Sequence, residues 1–169
     1  MSNAPSSVRM WLENLAVAET PPRPLEQLSP NAHIHGGLRF EIQGRLVPYM
    51  GYWGPDDVCM GDWLVELQHA AAALREDGGR YVFDEGEQGQ PAFEFSRRDG
   101  HGYLSIIKSA FSDADGDEAW QDITFDPDEF IEALKALLDD FKARLSEKSP
   151  KVAPRWLAKI ELDRDASAR

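Results

Sequence analysis

From Gly37 onward apolar and polar side chains alternate: Leu38, Phe40 and Ile42 are separated by Arg39, Glu41 and Gln43. A period of two predicts a strand with one buried face. Gly44 supplies a turn or bulge, and Leu46 with Val47 reads as a short second strand that Pro48 confines to an edge or ends. Upstream the spacing differs. Trp11, Leu12, Leu15 and Ala16 recur at helical intervals, which predicts a helix over residues 6–18 capped by Ser6 or Ser7. Pro21, Pro22 and Pro24 then make residues 20–32 an extended connector, so this helix is expected as an arm on the surface. After the aromatic and glycine-rich YMGYWGPDD, a helix begins between Asp56 and Asp62. Its inward stripe is Trp63, Leu64, Leu67, Ala70, Ala71 and Leu74, and Gly78 with Gly79 stops it.

Several short β candidates follow, at 81–83, 92–96, 103–110 and 120–125. The polar DEGEQGQP has the glycines of a hairpin loop, and Asp99-Gly100 is a hairpin signal of its own. Short turns between successive strands favour an antiparallel meander over a parallel sheet, which needs long crossovers. A long helix comes next: Asp126 as cap, Pro127 at the first helical position, and Glu129 three residues on as in a capping box. Phe130, Leu134, Leu137, Phe141 and Leu145 form its apolar stripe, and Lys142, Arg144 and Lys148 complement its dipole. Trp156, Leu157, Ile160 and Leu162 mark a short docked segment. The expected fold is α+β: one antiparallel meander of five or six strands packed by two long helices, with an N-terminal helical arm. Residues 1–32 read as helix and connector, 33–149 as the core domain, and 150–169 as a tail.

Charge changes the picture. Residues 81–140 hold 16 acidic against 4 basic side chains, which accounts for the whole net charge of −12, while residues 141–169 carry eight bases against four acids. Such a field repels phosphate backbones and anionic lipid and attracts basic surfaces, so nucleic acid and membrane are not the expected partners. Cys59 is the sole cysteine, which excludes an internal disulfide and any site built on two thiolates. Arg9, Glu13, Asn14 and Glu19 interrupt the first twenty residues, and no stretch has the length of a membrane span. A reducing, cytoplasmic location is expected.

The densest acid cluster is FSDADGDEAW, residues 111–120, with Asp113, Asp115, Asp117 and Glu118. As a calcium loop counted from Asp113 it matches at positions one, three and five, but Glu118 replaces the glycine at six and Thr124 the glutamate at twelve. A solvated hairpin loop and a lure for a basic partner are the other readings. In a meander this loop and the one holding Asp84, Glu85 and Glu87 emerge at one end of the sheet. Trp120, Phe111, Tyr52 and Trp53 then become candidate aromatic anchors. His33 and His35 form an H-x-H pair, with His69 and His101 remote and a third metal ligand missing; Cys59 lies near a helix start without a protease signature. No phosphate-binding glycine loop is present, and the sequence points to no cofactor.

The run YVFDEGEQGQPAFEFSRRDGHGYLSIIKSAFSD, with the GDWLVELQ helix before it and FDPDEFIEALKALLDDF after it, resembles bacterial immunity proteins of polymorphic-toxin systems. The resemblance covers roughly residues 37–146 as a general pattern. It implies a small, cytoplasmic, non-enzymatic protein that occludes a cognate toxin domain. The expected contact residues are Asp84, Glu85, Glu87, Asp113, Asp115, Asp117, Glu118, Trp120, Tyr52 and Trp53, and the expected partner is a basic toxin domain. The competing expectations are a metal- or thiol-dependent hydrolase using His33, His35 or Cys59, and an adaptor or chaperone for a secreted effector.

Overall fold

A computed structural model describes residues 7–86 and 89–162. The chain is α+β, but its strands divide between two antiparallel sheets of four rather than one. The first contains β1 (Val8–Val17), β2 (Ile34–Ile42), β3 (Arg45–Leu46) and β4 (Val58–Cys59). β2 lies in the middle, with β1 along one side and both β3 and β4 along the other. The second contains β5 (Arg80–Phe83), β6 (Ala92–Arg98), β7 (His101–Ile107) and β8 (Ile123–Phe125) in chain order, and this sheet is the expected meander. Helix α1 (Met60–Ala73) separates the two in sequence. After α1 the chain forms β5, which pairs with β6 and with no strand of the first sheet.

The predicted N-terminal helix is instead the strand β1. Val8, Met10 and Leu12 alternate with Arg9, Trp11 and Glu13, and the ladder runs from Val8 opposite Ile42 to Val17 opposite Ile34. Register shifts between Glu13 and Ala16, where Asn14 adopts φ 53°. This bulge inserts residues into the period of two and leaves Leu12, Leu15 and Ala16 spaced as on a helix. Gly36 sits beneath it: a Cβ there would lie 3.0 Å from the Leu15 Cα and from the Glu13 carbonyl oxygen. Pairing with β2 and burial of Val8, Leu12 and Val17 override the local helical pattern.

Helix α2 (Pro127–Lys148) starts as the sequence predicts, with the Asp126 carboxylate accepting from the backbone N–H of Asp128 at 2.8 Å. The capping box closes differently. Glu129 accepts from the Ser7 N–H at 2.7 Å and hydroxyl at 2.6 Å, and the Ser7 Oγ accepts from the Asp126 N–H at 3.2 Å. Ser7 thus completes the cap and fastens the beginning of β1 to that of α2.

Both sheets and the helices share one apolar core. Phe40 of β2 meets Phe95 of β6 and Phe130 of α2 at centroid distances of 6.5 and 5.8 Å, and Phe125 of β8 lies 5.5 Å from Phe130. Trp63 of α1 packs edge-on to Phe83 and Phe93 at 4.8 and 4.9 Å and donates to the Met50 carbonyl. Gly102 on β7 lies under Phe125, where a Cβ would come within 2.4 Å of the ring. At the C-terminal end, α3 (Ala153–Ala158) places Trp156 against Phe141, and its indole N–H donates to the Ala32 carbonyl at 2.9 Å. Leu25 and Leu28 of the proline-rich connector are buried in the same cluster.

Leu12 is 3% exposed. Leu12→Ala is therefore expected to lower stability by about 2–5 kcal/mol in urea unfolding, the range of a buried leucine truncation. A loss below ~0.5 kcal/mol, as for a surface arm, would contradict β1 as a core strand.

Candidate functional site

Successive hairpins reverse direction, so β5 ends where β6 begins and where β7 ends. The loops at 84–91 and 108–122 accordingly meet at one end of the second sheet. Asp84 joins them, accepting from the Ser109 hydroxyl and from the Ala110 N–H, both at 2.7 Å. The Ser112 hydroxyl donates to the Gln90 carbonyl at 3.0 Å. A third loop, residues 47–57 of the first sheet, closes on them. The Tyr49 hydroxyl donates to Asp117 at 2.8 Å, and the Tyr52 hydroxyl donates to Glu85. This loop is itself tightly wound: the Tyr52 N–H reaches the Asp57 carbonyl at 3.0 Å, and the Asp57 N–H reaches the Gly54 carbonyl at 3.1 Å. A Cβ on Gly51 would lie 1.8 Å from the Gly54 oxygen, so the turn requires glycine there.

The acidic residues divide by role. Asp113, Asp115 and Glu118 are exposed on the outer side of the 108–122 loop. Asp117 is half-buried and works inward, accepting from the Ala119 N–H at 2.9 Å as well as from Tyr49. That hydrogen bond to a carboxylate holds the Tyr49 phenol above its usual pKa. Asp84 is likewise occupied by the neighbouring loop, and Glu85 is half-buried against Tyr52. Glu87 lies outside the described residues. The loop carrying the acids is packed rather than loose: the Asp117 N–H bonds the Ile106 carbonyl at 3.0 Å, and a Cβ on Gly116 would lie 2.5 Å from that same oxygen.

The aromatic residues also divide. Trp53 and Phe111 are 81% and 77% exposed, Phe111 in the acidic loop and Trp53 at the tip of the 47–57 loop. Trp120, expected as a surface anchor, is buried in the core with the Arg45 guanidinium 4.3 Å over its ring. It roots the acidic loop in the protein because its carbonyl accepts from the Ile106 N–H at 2.8 Å. Tyr49 and Asp117 form a link that the sequence alone did not single out, because it joins residues 68 apart.

On the other side of the 47–57 loop lies a cleft of about 1000 Å³, lined by His33, His35, Tyr52, Trp53, Asp57 and Cys59 among others. His35 Nδ1 and Asp57 Oδ1 are 2.6 Å apart, and the His33 and His35 ring centroids 6.4 Å. Cys59 stands directly opposite His35 in the β2–β4 pairing. Burial pushes its thiol up to about 11 even though it occupies the cap position of α1, so desolvation outweighs the helix dipole. His69 packs beside Tyr81 on another face, and His101 sits in the β6–β7 hairpin. Among the described residues no three or more His, Cys, Asp or Glu side chains are grouped to hold a metal ion, the packet at 113–118 included.

No helix among the described residues is long and apolar enough to cross a membrane. Protein-family models, curated proteins and solved structures provide no match to the chain.

Two measurements test this geometry. Asp84→Ala removes the acceptor of the buried Ser109 hydroxyl; it should cost about 1–3 kcal/mol and speed hydrogen exchange at the Ala110 amide, and unchanged exchange there would show that Asp84 does not brace the loop. For Cys59, a pKa raised from 9.0 to about 11 implies roughly 100-fold less thiolate than in the unfolded chain. Reaction with an aromatic disulfide reagent at pH 8 should be slower by at least that factor in the native protein than in urea. Because the native pKa is the higher, the associated stability is complete below about pH 9 and is lost as pH rises through about 11.

Proposed function

We propose that this protein is an immunity protein that binds and occludes a cationic bacterial toxin domain with the acidic rim formed by its three loops. The observation that carries this reading is the combination of outward carboxylates at Asp113, Asp115 and Glu118 with loops fastened to one another through Asp84, Asp117 and Tyr52. Braced loops lose little conformational freedom on association, so more of the contact energy is retained. Three of the four cations in the acidic segment are already paired. Of the four bases between residues 81 and 140, Arg97 and Arg98 stand at the opposite end of the sheet, paired with Asp77 and Asp122, and Lys135 of α2 pairs with Glu132. Lys108 sits at the rim.

A toxin that acts on nucleic acid carries basic groups around its site, and an acidic rim occupies such a groove by presenting charge where phosphates would lie. Exposed Trp53 and Phe111 supply apolar contact beside the charges, which set approach and orientation. The resemblance of residues 37–146 to immunity proteins supports the same conclusion. On this reading the protein performs no chemistry and requires no cofactor.

The cleft favours a second reading, a hydrolase using His35 and Asp57, since their contact at 2.6 Å is that of an oriented imidazole. The nucleophile is its weak point: Cys59 is buried and protonated at neutral pH, whereas a thiol enzyme needs a thiolate. An effector adaptor or chaperone would use the same rim without inhibiting its partner.

Co-expression separates the three. An immunity protein rescues cells from the active toxin domain encoded beside it, and His35→Ala or Cys59→Ser leaves rescue intact; rescue lost in these two variants, with their folding preserved, would favour the enzyme. Asp113→Lys, Asp115→Lys and Glu118→Lys together should slow association by about tenfold or more at low salt, with the difference shrinking as salt rises. Equal association rates at low salt would remove the rim from the interface.

A further inference from the structure

β2 has a gap along one side. β3 pairs with Glu41 and Ile42, β4 pairs with His35 and Gly36, and the chain between them loops outward over residues 47–57. The stretch of β2 between those two short partners, where the Val47 N–H still reaches the Phe40 carbonyl at 2.8 Å, borders a groove of about 510 Å³ whose base is formed by the largely buried Leu38, Phe40, Val47, Met50 and Val58 and whose edge is Leu46. Its lip is apolar and open: Leu46 is 52% and Tyr49 48% exposed. Groups of the opposite character border it. The Tyr49 hydroxyl is bonded to Asp117 of the acidic loop, while Arg39, the one cation among the lining residues, is held by Asp56 at 2.6 Å and Glu13 at 3.1 Å. That arginine lowers the pKa of Asp56, so the pair stays ionised at neutral pH and presents no excess positive charge to the groove.

We propose that this groove receives an apolar side chain, aliphatic or aromatic, from a basic partner protein, with cations flanking that side chain paired to the rim carboxylates. The inference rests on the acidic-rim reading above and adds a recessed apolar contact to the exposed ones at Trp53 and Phe111. Charges steer and align, but affinity concentrates in a desolvated apolar contact near the centre of an interface. The groove lies within the size range of side-chain and small-ligand pockets. Charge complementarity selects the occupant: an apolar group carried on a basic segment gains both the groove and the carboxylates, whereas one carried on an acidic segment is repelled by Asp117 and Glu118.

Tryptamine and indole-3-acetate are suitable probes, sharing an indole and differing in charge. In methyl-resolved NMR at low salt, tryptamine should shift the resonances of Leu38, Leu46, Val47 and Val58 with a dissociation constant at least about fivefold below that of indole-3-acetate. Leu46→Asp, at a half-exposed position, should abolish those shifts without altering the far-ultraviolet circular dichroism. Absence of shifts with tryptamine, or equal affinity for the two probes, overturns the proposal. So does a concentration-dependent dimer in sedimentation that Leu46→Asp dissolves, because the occupant is then a second copy of this chain. The two readings fail separately: rim reversal without effect on toxin association removes the rim, while probe binding tests the groove directly. Loss of toxin affinity in Leu46→Asp with the association rate preserved is the result expected if both hold.

Discussion

Four phenyl rings hold this structure in one piece. Phe40 belongs to the first sheet, Phe95 and Phe125 to the second, and Phe130 to the helix that lies against both. Side chains of this size bury large apolar areas, and edge-to-face and offset contacts among them fix orientation as well as distance. The acidic rim depends on that orientation, because its loops come from different sheets. Residues 47–57 leave the first, residues 84–91 and 108–122 the second, and the bonds from Tyr49 to Asp117 and from Tyr52 to Glu85 span the seam. A small rotation of one sheet on the other would separate these partners by more than a hydrogen bond tolerates.

The acids at the rim do two kinds of work. Asp84, Glu85 and Asp117 accept hydrogen bonds from the protein itself and give the loops a fixed course. Asp113, Asp115 and Glu118 point away from it. The supporting acids stand in the same loop as the exposed ones or in the one joined to it. Rigidity and exposed negative charge therefore come from the same residue type within two neighbouring loops.

What the sequence makes legible here is whatever is set by neighbours in the chain. The alternation of Leu38, Phe40 and Ile42 reveals β2, the Asp99-Gly100 pair reveals the turn between β6 and β7, and Asp126 with Pro127 reveals the start of α2. The meeting of the two acidic loops is readable too, since it follows from alternating strand direction. Contacts between distant residues are not. β1 is disguised by its bulge at Asn14, and its strand identity comes from β2. The split into two sheets depends on β5 pairing with β6 rather than with the first sheet, which no local pattern reports. Trp120 looks like a surface aromatic inside an acidic run until Arg45 is seen to cover it. His35 and Asp57 are brought together only when β4 pairs with β2.

Ser7 bonds Glu129 across 122 residues, and Trp156 bonds Ala32 across 124. β1 therefore pairs with its neighbour β2 but is clasped to α2 only when residue 129 is present. Until then its apolar positions must wait in an unfinished state, and topology of this kind slows assembly. The second sheet, whose strands pair in the order in which they are made, is the natural place for folding to begin. Opening of either clasp would consequently loosen β1 or α3 while leaving the ladder of the second sheet paired.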